Sequence, residues 1–311
     1  MKRGENMQNT ERTSKQRNFI KKTPGEKIFD GFNIVFMLVI TLMCFYPVWY
    51  VFIIAMNDAQ DAVRGGIFFW PRVWTFDNIL HVFRDGTIVR AFQISVARTV
   101  LGTFVSVFFT AMISYGMSKT NLIGRKFYYT LGLITMFFSG GLIPTFLLYR
   151  DLNLLDNFLV YIFPNMFSFF NLLIFTSFFR TIPSSVEESA KIDGANDFRI
   201  FLSIIIPLSK PVLATIALFS AVGHWNDFFS GLIFVTRVEL EPVQTFLFRI
   251  INQANFADVM GQGDVTVLIG NITATSVRMA TMFVTIVPII LVYPFLQKYF
   301  IKGMLLGAVK E

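Results

Sequence analysis

Long apolar stretches separated by short polar ones set the pattern of this chain. Six of them, at about residues 32–56, 91–117, 127–149, 157–179, 208–235 and 276–301, reach the roughly 20 residues a helix needs to cross the hydrocarbon of a bilayer. The third is interrupted by Ser139-Gly140-Gly141 and Pro144, and backbone breaks at membrane depth are tolerated only where they face protein or a cavity. A polar, aromatic stretch at 57–90 carries Gly65-Gly66 and Trp70-Pro71 as turn signals. The pattern predicts an all-α integral membrane protein with six spans.

Composition strengthens that reading. Hydrophobic residues make up 54% of the 311 and charged residues only 15%, with 38 Phe. Soluble domains carry charge on about a quarter of their residues, so this surface belongs in lipid. The net charge of +7 is concentrated at the start: Lys2, Arg3, Arg12, Lys15, Arg17, Lys21, Lys22 and Lys27 precede the first span. A basic flank of this kind holds an N-terminus in the cytoplasm, and no basic domain for nucleic acid exists apart from it. The first apolar run is too long for a cleavable signal peptide and reads as an anchor. With the N-terminus inside, every lysine falls on the cytoplasmic side, and the outer segments hold only arginines. Both termini are expected in the cytoplasm of a multi-pass plasma-membrane protein. The domain reading is a basic tail at 1–30, a transmembrane domain at 31–303 and a short cytoplasmic end at 304–311. Cys44, the lone cysteine, lies inside the first span and reads as a small hydrophobe.

Orientation puts the polar segment 181–207 in the cytoplasm, between spans four and five. Pro183, Ser184 and Ser185 offer a helix start. Ser185 with Glu188, or Ser184 with Glu187, forms a capping box, and both glutamates suit the helix dipole. Gly194 serves as a C-terminal stop, and Asn196 or Asp197 can cap a second helix running to Pro207. The result is a helix-turn-helix whose apolar side has no lipid to enter and needs a protein partner.

This segment resembles the cytoplasmic loop of bacterial ABC importer permeases, which reads E-A-A, three residues, G, nine residues, I-x-L-P. Here it is Glu188-Ser189-Ala190, three residues, Gly194, nine residues, then Ile204-Ile205-Ile206-Pro207. Ser189 and Ile206 depart from the pattern and keep size or apolar character. The stretches FFSGGLIPTFLLYRDLNLLDN, VGHWNDFFSGLIF and QKYFIKGMLLGAVKE are similar to those of carbohydrate permeases of the polysaccharide and lipoprotein-associated type, in the maltose-permease-like superfamily. The resemblance implies the type I importer permease fold, with the loop as a coupling helix docked on an ATPase subunit. It places Glu187, Glu188, Ser189, Ala190, Ile192, Asp193, Gly194, Ile204 and Pro207 at or beside that contact. It further implies two ATPase subunits, a second permease completing a heterodimer, and an extracytoplasmic binding protein that delivers a carbohydrate. No G-x-x-x-x-G-K-[ST] phosphate loop occurs in the chain. ATP and Mg²⁺ therefore belong to the partner ATPase, and this chain is expected to hold no cofactor, metal or catalytic site.

Polar groups inside the spans need a partner or a function. In span two, Ser95, Thr99, Thr103, Ser106, Thr110 and Ser114 share a helical face with Gly102, which suits close helix packing, with lining of the pathway as the other use. Arg98 is expected to snorkel to the outer interface. In span five, Ser220, Gly223, His224, Asp227 and Gly231 share a face, with Trp225 and Asn226 between them. His224, Trp225, Asn226 and Asp227 supply the ring, amide, imidazole and carboxylate groups that bind sugars, and they are candidates for the substrate path. Hydrogen bonding to neighbouring helices is the other use for them. A secondary transporter would need repeats or several buried ionisable groups, and Asp227 is the only carboxylate well inside a span. An intramembrane enzyme would need paired groups, yet the histidines are His81 and His224 alone.

Overall fold

The computed structural model describes residues 23–84, 86–259 and 273–308. The basic tail through residue 22, the stretch 260–272 and the final three residues lie outside them. The described chain is almost wholly helical. Three helices are long and apolar enough to cross a membrane, and three bent pairs pass the same test together.

Two compact units divide the chain, one ending at Tyr50 and the other beginning at Val51. The first is most of helix α1 (Pro24–Ala55). Pro24 takes the first helical position, where its missing N–H is no loss. Thr23 and Glu26 close a reciprocal cap: the Thr23 amide donates to the Glu26 carboxylate at 2.7 Å, and the Glu26 amide donates to the Thr23 hydroxyl at 3.3 Å. That cap starts the helix eight residues before the apolar run.

The second unit holds the rest. After α1 the chain makes α2 (Ala59–Val63) and α3 (Asp77–Arg84), then α4 (Thr87–Ser118), a single unbroken helix long enough to span. The third span is a bent pair, α5 (Arg125–Phe137) and α6 (Leu142–Asp151), turned by 111°. The break falls at Ser139-Gly140-Gly141 as the sequence predicts, with Gly141 at φ +89°. Pro144 takes no part in it and sits in the first turn of α6, where proline is tolerated. The fourth span departs further from expectation. Only α7 (Phe169–Phe179) is α-helical, and residues 158–165 form two 3₁₀ turns bent 48° from it.

The segment between the fourth and fifth spans gives α8 (Ser184–Ile192) and α9 (Asp197–Leu208). A π turn at Phe201–Ile205 widens α9 just before Pro207, where the proline ring presses on the preceding turn and supplies no N–H. An 86° bend at Ser209 leads into α10 (Lys210–Asn226). Next come α11 (Phe229–Phe234), α12 (Val243–Val259) and α13 (Ala274–Ala308).

Helix α4 is the axis of this unit, packed against α7 and α10. Its small polar face is buried as expected: Ser95, Ser106, Thr110 and Ser114 are nearly inaccessible. Small residues let backbones approach, which matters in lipid because burial there gains no hydrophobic free energy. Gly102 shows the tolerance, since a Cβ there would stand 2.5 Å from the His224 ring. Gly132 on α5 is tighter still, 2.0 Å from the ring of Phe169.

Candidate coupling loop and buried polar centre

The candidate coupling segment is seated by one side and open on the other. Ala190, Ile200, Phe201 and Ile205 pack into a core with Phe175, Phe179 and Ile216. At the turn, the Gly194 amide donates to the Lys191 carbonyl at 3.0 Å and the Ala195 amide to the Ala190 carbonyl at 2.9 Å. This Schellman closure needs a left-handed residue, and Gly194 supplies it at φ +79°. Asn196 caps α9, accepting from the Arg199 amide at 2.8 Å, which settles the choice between Asn196 and Asp197.

Neither predicted capping box forms. Pro183 is the N-cap of α8, with no side-chain hydrogen bond. Glu187 is drawn instead into an ion pair with Lys119, the C-cap of α4. The Lys119 ammonium also lies 4.0 Å over the ring of Tyr115. A charged acceptor paired with a lysine outcompetes a neutral cap. Glu188, Ser189 and Asp193 are exposed, Ile204 is half-buried and Pro207 is exposed. Ile192 and Phe198 stand outward at 87% and 55% exposure, an apolar pair beyond the reach of the chain's own core.

Span five ends differently from the sequence reading. Helix α10 stops at Asn226, and Asp227 leaves helical geometry at φ −73°, ψ 103°, so Gly231 belongs to another helix. The cause is Arg98, which does not snorkel and is fully buried. Its Nε donates to the His224 carbonyl at 2.8 Å, and its Nη2 donates to the Asp227 carbonyl at 2.7 Å and carboxylate at 3.0 Å. Its guanidinium carbon lies 4.8 Å over the Tyr161 ring. A helix end leaves carbonyls unsatisfied, and the planar guanidinium fork satisfies two of them while matching a carboxylate. The other Asp227 oxygen accepts from the Ser230 amide at 3.0 Å, which starts α11. His224 is buried against Gly102, Trp225 lies 6.2 Å from Phe92, and Asn226 is exposed.

The Arg98 and Lys119 contacts were missed from sequence. A signal existed for the first: one arginine and one carboxylate, each costly alone in a span, solve each other's problem. For the second there was none.

Outside the spans, Asp156 accepts from the Thr236 and Arg237 amides at 2.6 and 3.0 Å. The Thr236 bonds hold its carboxyl below the usual range. Glu241 is buried beside Arg249, and burial pushes its carboxyl up. Among the described residues no group of three or more His, Cys, Asp or Glu is placed to hold a metal.

The chain is matched over residues 21–306 by the family model described as "Binding-protein-dependent transport system inner membrane component". The chain belongs to this family. The permease is 38% identical to the polygalacturonan/rhamnogalacturonan transport system permease protein YtcP of Bacillus subtilis, over 91% of this chain and 99% of that one. It is 28% identical to the arabinooligosaccharides transport system permease protein AraQ of the same organism, over 94% and 99%. Among solved structures it matches a chain of a bacterial ABC transporter involved in the import of the acidic polysaccharide alginate. There the TM-score is 0.82 at 31% identity, covering 90% of this permease and 99% of that chain. The type I importer permease fold expected from the sequence is therefore the fold of this protein.

Proposed function

We propose that this permease forms half of the membrane pathway of an ATP-driven importer of an oligosaccharide, beside a second and different permease. Two ATPase subunits bind ATP and Mg²⁺ and grip the segment Ser184–Pro207, with Glu187, Glu188, Ser189, Ala190, Ile192, Asp193, Gly194, Ile204 and Pro207 shaping or seating the contact. A binding protein delivers substrate to the outer face, and both termini lie in the cytoplasm, as the placement of the lysines supports. The observation that carries this reading is the segment itself: an outward apolar pair, Ile192 and Phe198, held on a packed base of Ala190, Ile200, Phe201 and Ile205. The pathways named for the similar proteins, polygalacturonan, arabinooligosaccharide and alginate, support a glycan substrate, with an acidic fragment the first to try.

Of the proposed path residues, Asn226 is the exposed one. Arg98, His224 and Asp227 hold the break that presents it and Trp225. The test is purification of a tagged chain from native membranes with mass spectrometry of everything retained. An ATPase and a second permease in the eluate are expected. Stable recovery of the chain alone would overturn the proposal.

A further inference from the structure

The segment between the first two spans is more ordered than a connecting loop requires. Asn57 is fully buried. Its side-chain oxygen accepts from the Arg72 and Val73 amides at 2.8 and 3.0 Å, and its amide nitrogen donates to Asp61 at 3.0 Å. Buried Asn78 ties the base of the fold to the Ala55 and Asn57 carbonyls at 3.1 and 2.8 Å. Arg72 returns to Asp61 and to the Gly65 carbonyl at 3.0 and 2.6 Å. A polar scaffold this complete fixes where the intervening side chains point.

Ile67 and Pro71 turn inward, and Trp74 leans on Phe52 and Trp70, but most of the others are apolar and exposed. Phe68, Phe69, Trp70, Trp74 and Phe76 are 50–74% exposed. Helix α3 continues the surface. At 100° per residue, Ile79 and Val82 face inward, Asp77, His81 and Arg84 form a polar strip, and Phe76, Leu80 and Phe83 make a third, exposed stripe. A helix standing in water has no use for that third stripe.

We infer that residues 68–83 are an interfacial anchor, whose rings and α3 stripe enter the outer leaflet at the boundary between headgroups and acyl chains. Three observations select lipid as the occupant. Both ends of the segment are tied to spans, α1 ending at Ala55 and α4 starting at Thr87, which confines it to the bilayer boundary. Exposed Trp and Phe flanked by Arg64 and Arg84 suit a membrane–water interface, with rings at headgroup level and basic groups beside them. The stripe is also continuous with the outward apolar face of α4. Val89 carries on from Phe83 to Val96, Val100 and Phe104, all exposed. Between Phe83, Val89 and Phe283 lies a cavity of about 410 Å³ with apolar lining residues, a space suited to hydrocarbon.

The test uses nitroxide labels on single cysteines in a Cys44→Ser background, in the assembled transporter reconstituted into nanodiscs of phosphatidylethanolamine and phosphatidylglycerol. Labels at Phe69→Cys and Leu80→Cys are expected to relax with oxygen and to be shielded from a water-soluble nickel reagent. Their oxygen-to-nickel accessibility ratio should stand several-fold above that of a label at Asp77→Cys on the polar strip. Free access of nickel to the labels at 69 and 80 overturns the inference. Shielding from both reagents also overturns it, because it means that protein, not lipid, covers the stripe.

Discussion

Arg98→Met removes the cation that joins α4 to the end of α10. Asp227 is then left without its counter-charge, with the His224 and Asp227 carbonyls short of a donor. Removing one member of a buried pair costs about 3–5 kcal/mol. Asp227 keeps 25% of its side chain exposed, so water recovers part of that loss and the lower end, about 3 kcal/mol, applies. For a chain of this size that corresponds to a fall in Tm of about 6 °C. Arg98→Met with Asp227→Asn removes both charges while the Asn oxygen still accepts from Ser230, so about 2 kcal/mol of the loss should return as coupling between the sites. The assay is thermal unfolding of the assembled transporter in nanodiscs, over the cycle of wild type, two single variants and the double. A single Arg98→Met variant melting with the wild type, or a double variant whose loss is the sum of the singles, would refute the claim that this pair holds the break.

Gly102→Ala puts a Cβ against the His224 ring and should cost about 1–3 kcal/mol by overpacking; His224→Ala in the same chain should relieve it, which melting of the double variant checks. Gly194→Val forces a branched residue to φ +79°, strain of about 1–2 kcal/mol confined to the Schellman turn. It should insert normally in the membrane and retain less ATPase on purification, and full retention would count against the coupling assignment. Glu241 has its carboxyl raised by burial, so the folded state binds that proton more tightly than the unfolded chain. Its stability should rise as pH falls through the raised pKa, and Glu241→Gln should be more stable at pH 7 and lose that rise, measured as Tm against pH.

The apolar runs, the break in the third span, the Gly194 turn and the helix-turn-helix at 184–208 were legible in the chain, because each depends on neighbours in sequence. An apolar run long enough to span, a glycine where φ is positive and a motif at fixed spacing are local facts. What the sequence misplaced depends on contacts between distant residues. Arg98 and Asp227 meet across 129 positions and Lys119 and Glu187 across 68, and each meeting overrides a local preference. The first turns a snorkelling arginine into a helix-end clamp. The second takes a glutamate from its capping box. Likewise, Asn57 reads as an ordinary loop residue until the fold brings Arg72 and Val73 to it. Helical periodicity says which residues share a face but not which helix that face will meet. A buried charge or amide is settled only by the partner it finds, and the tertiary structure alone decides that.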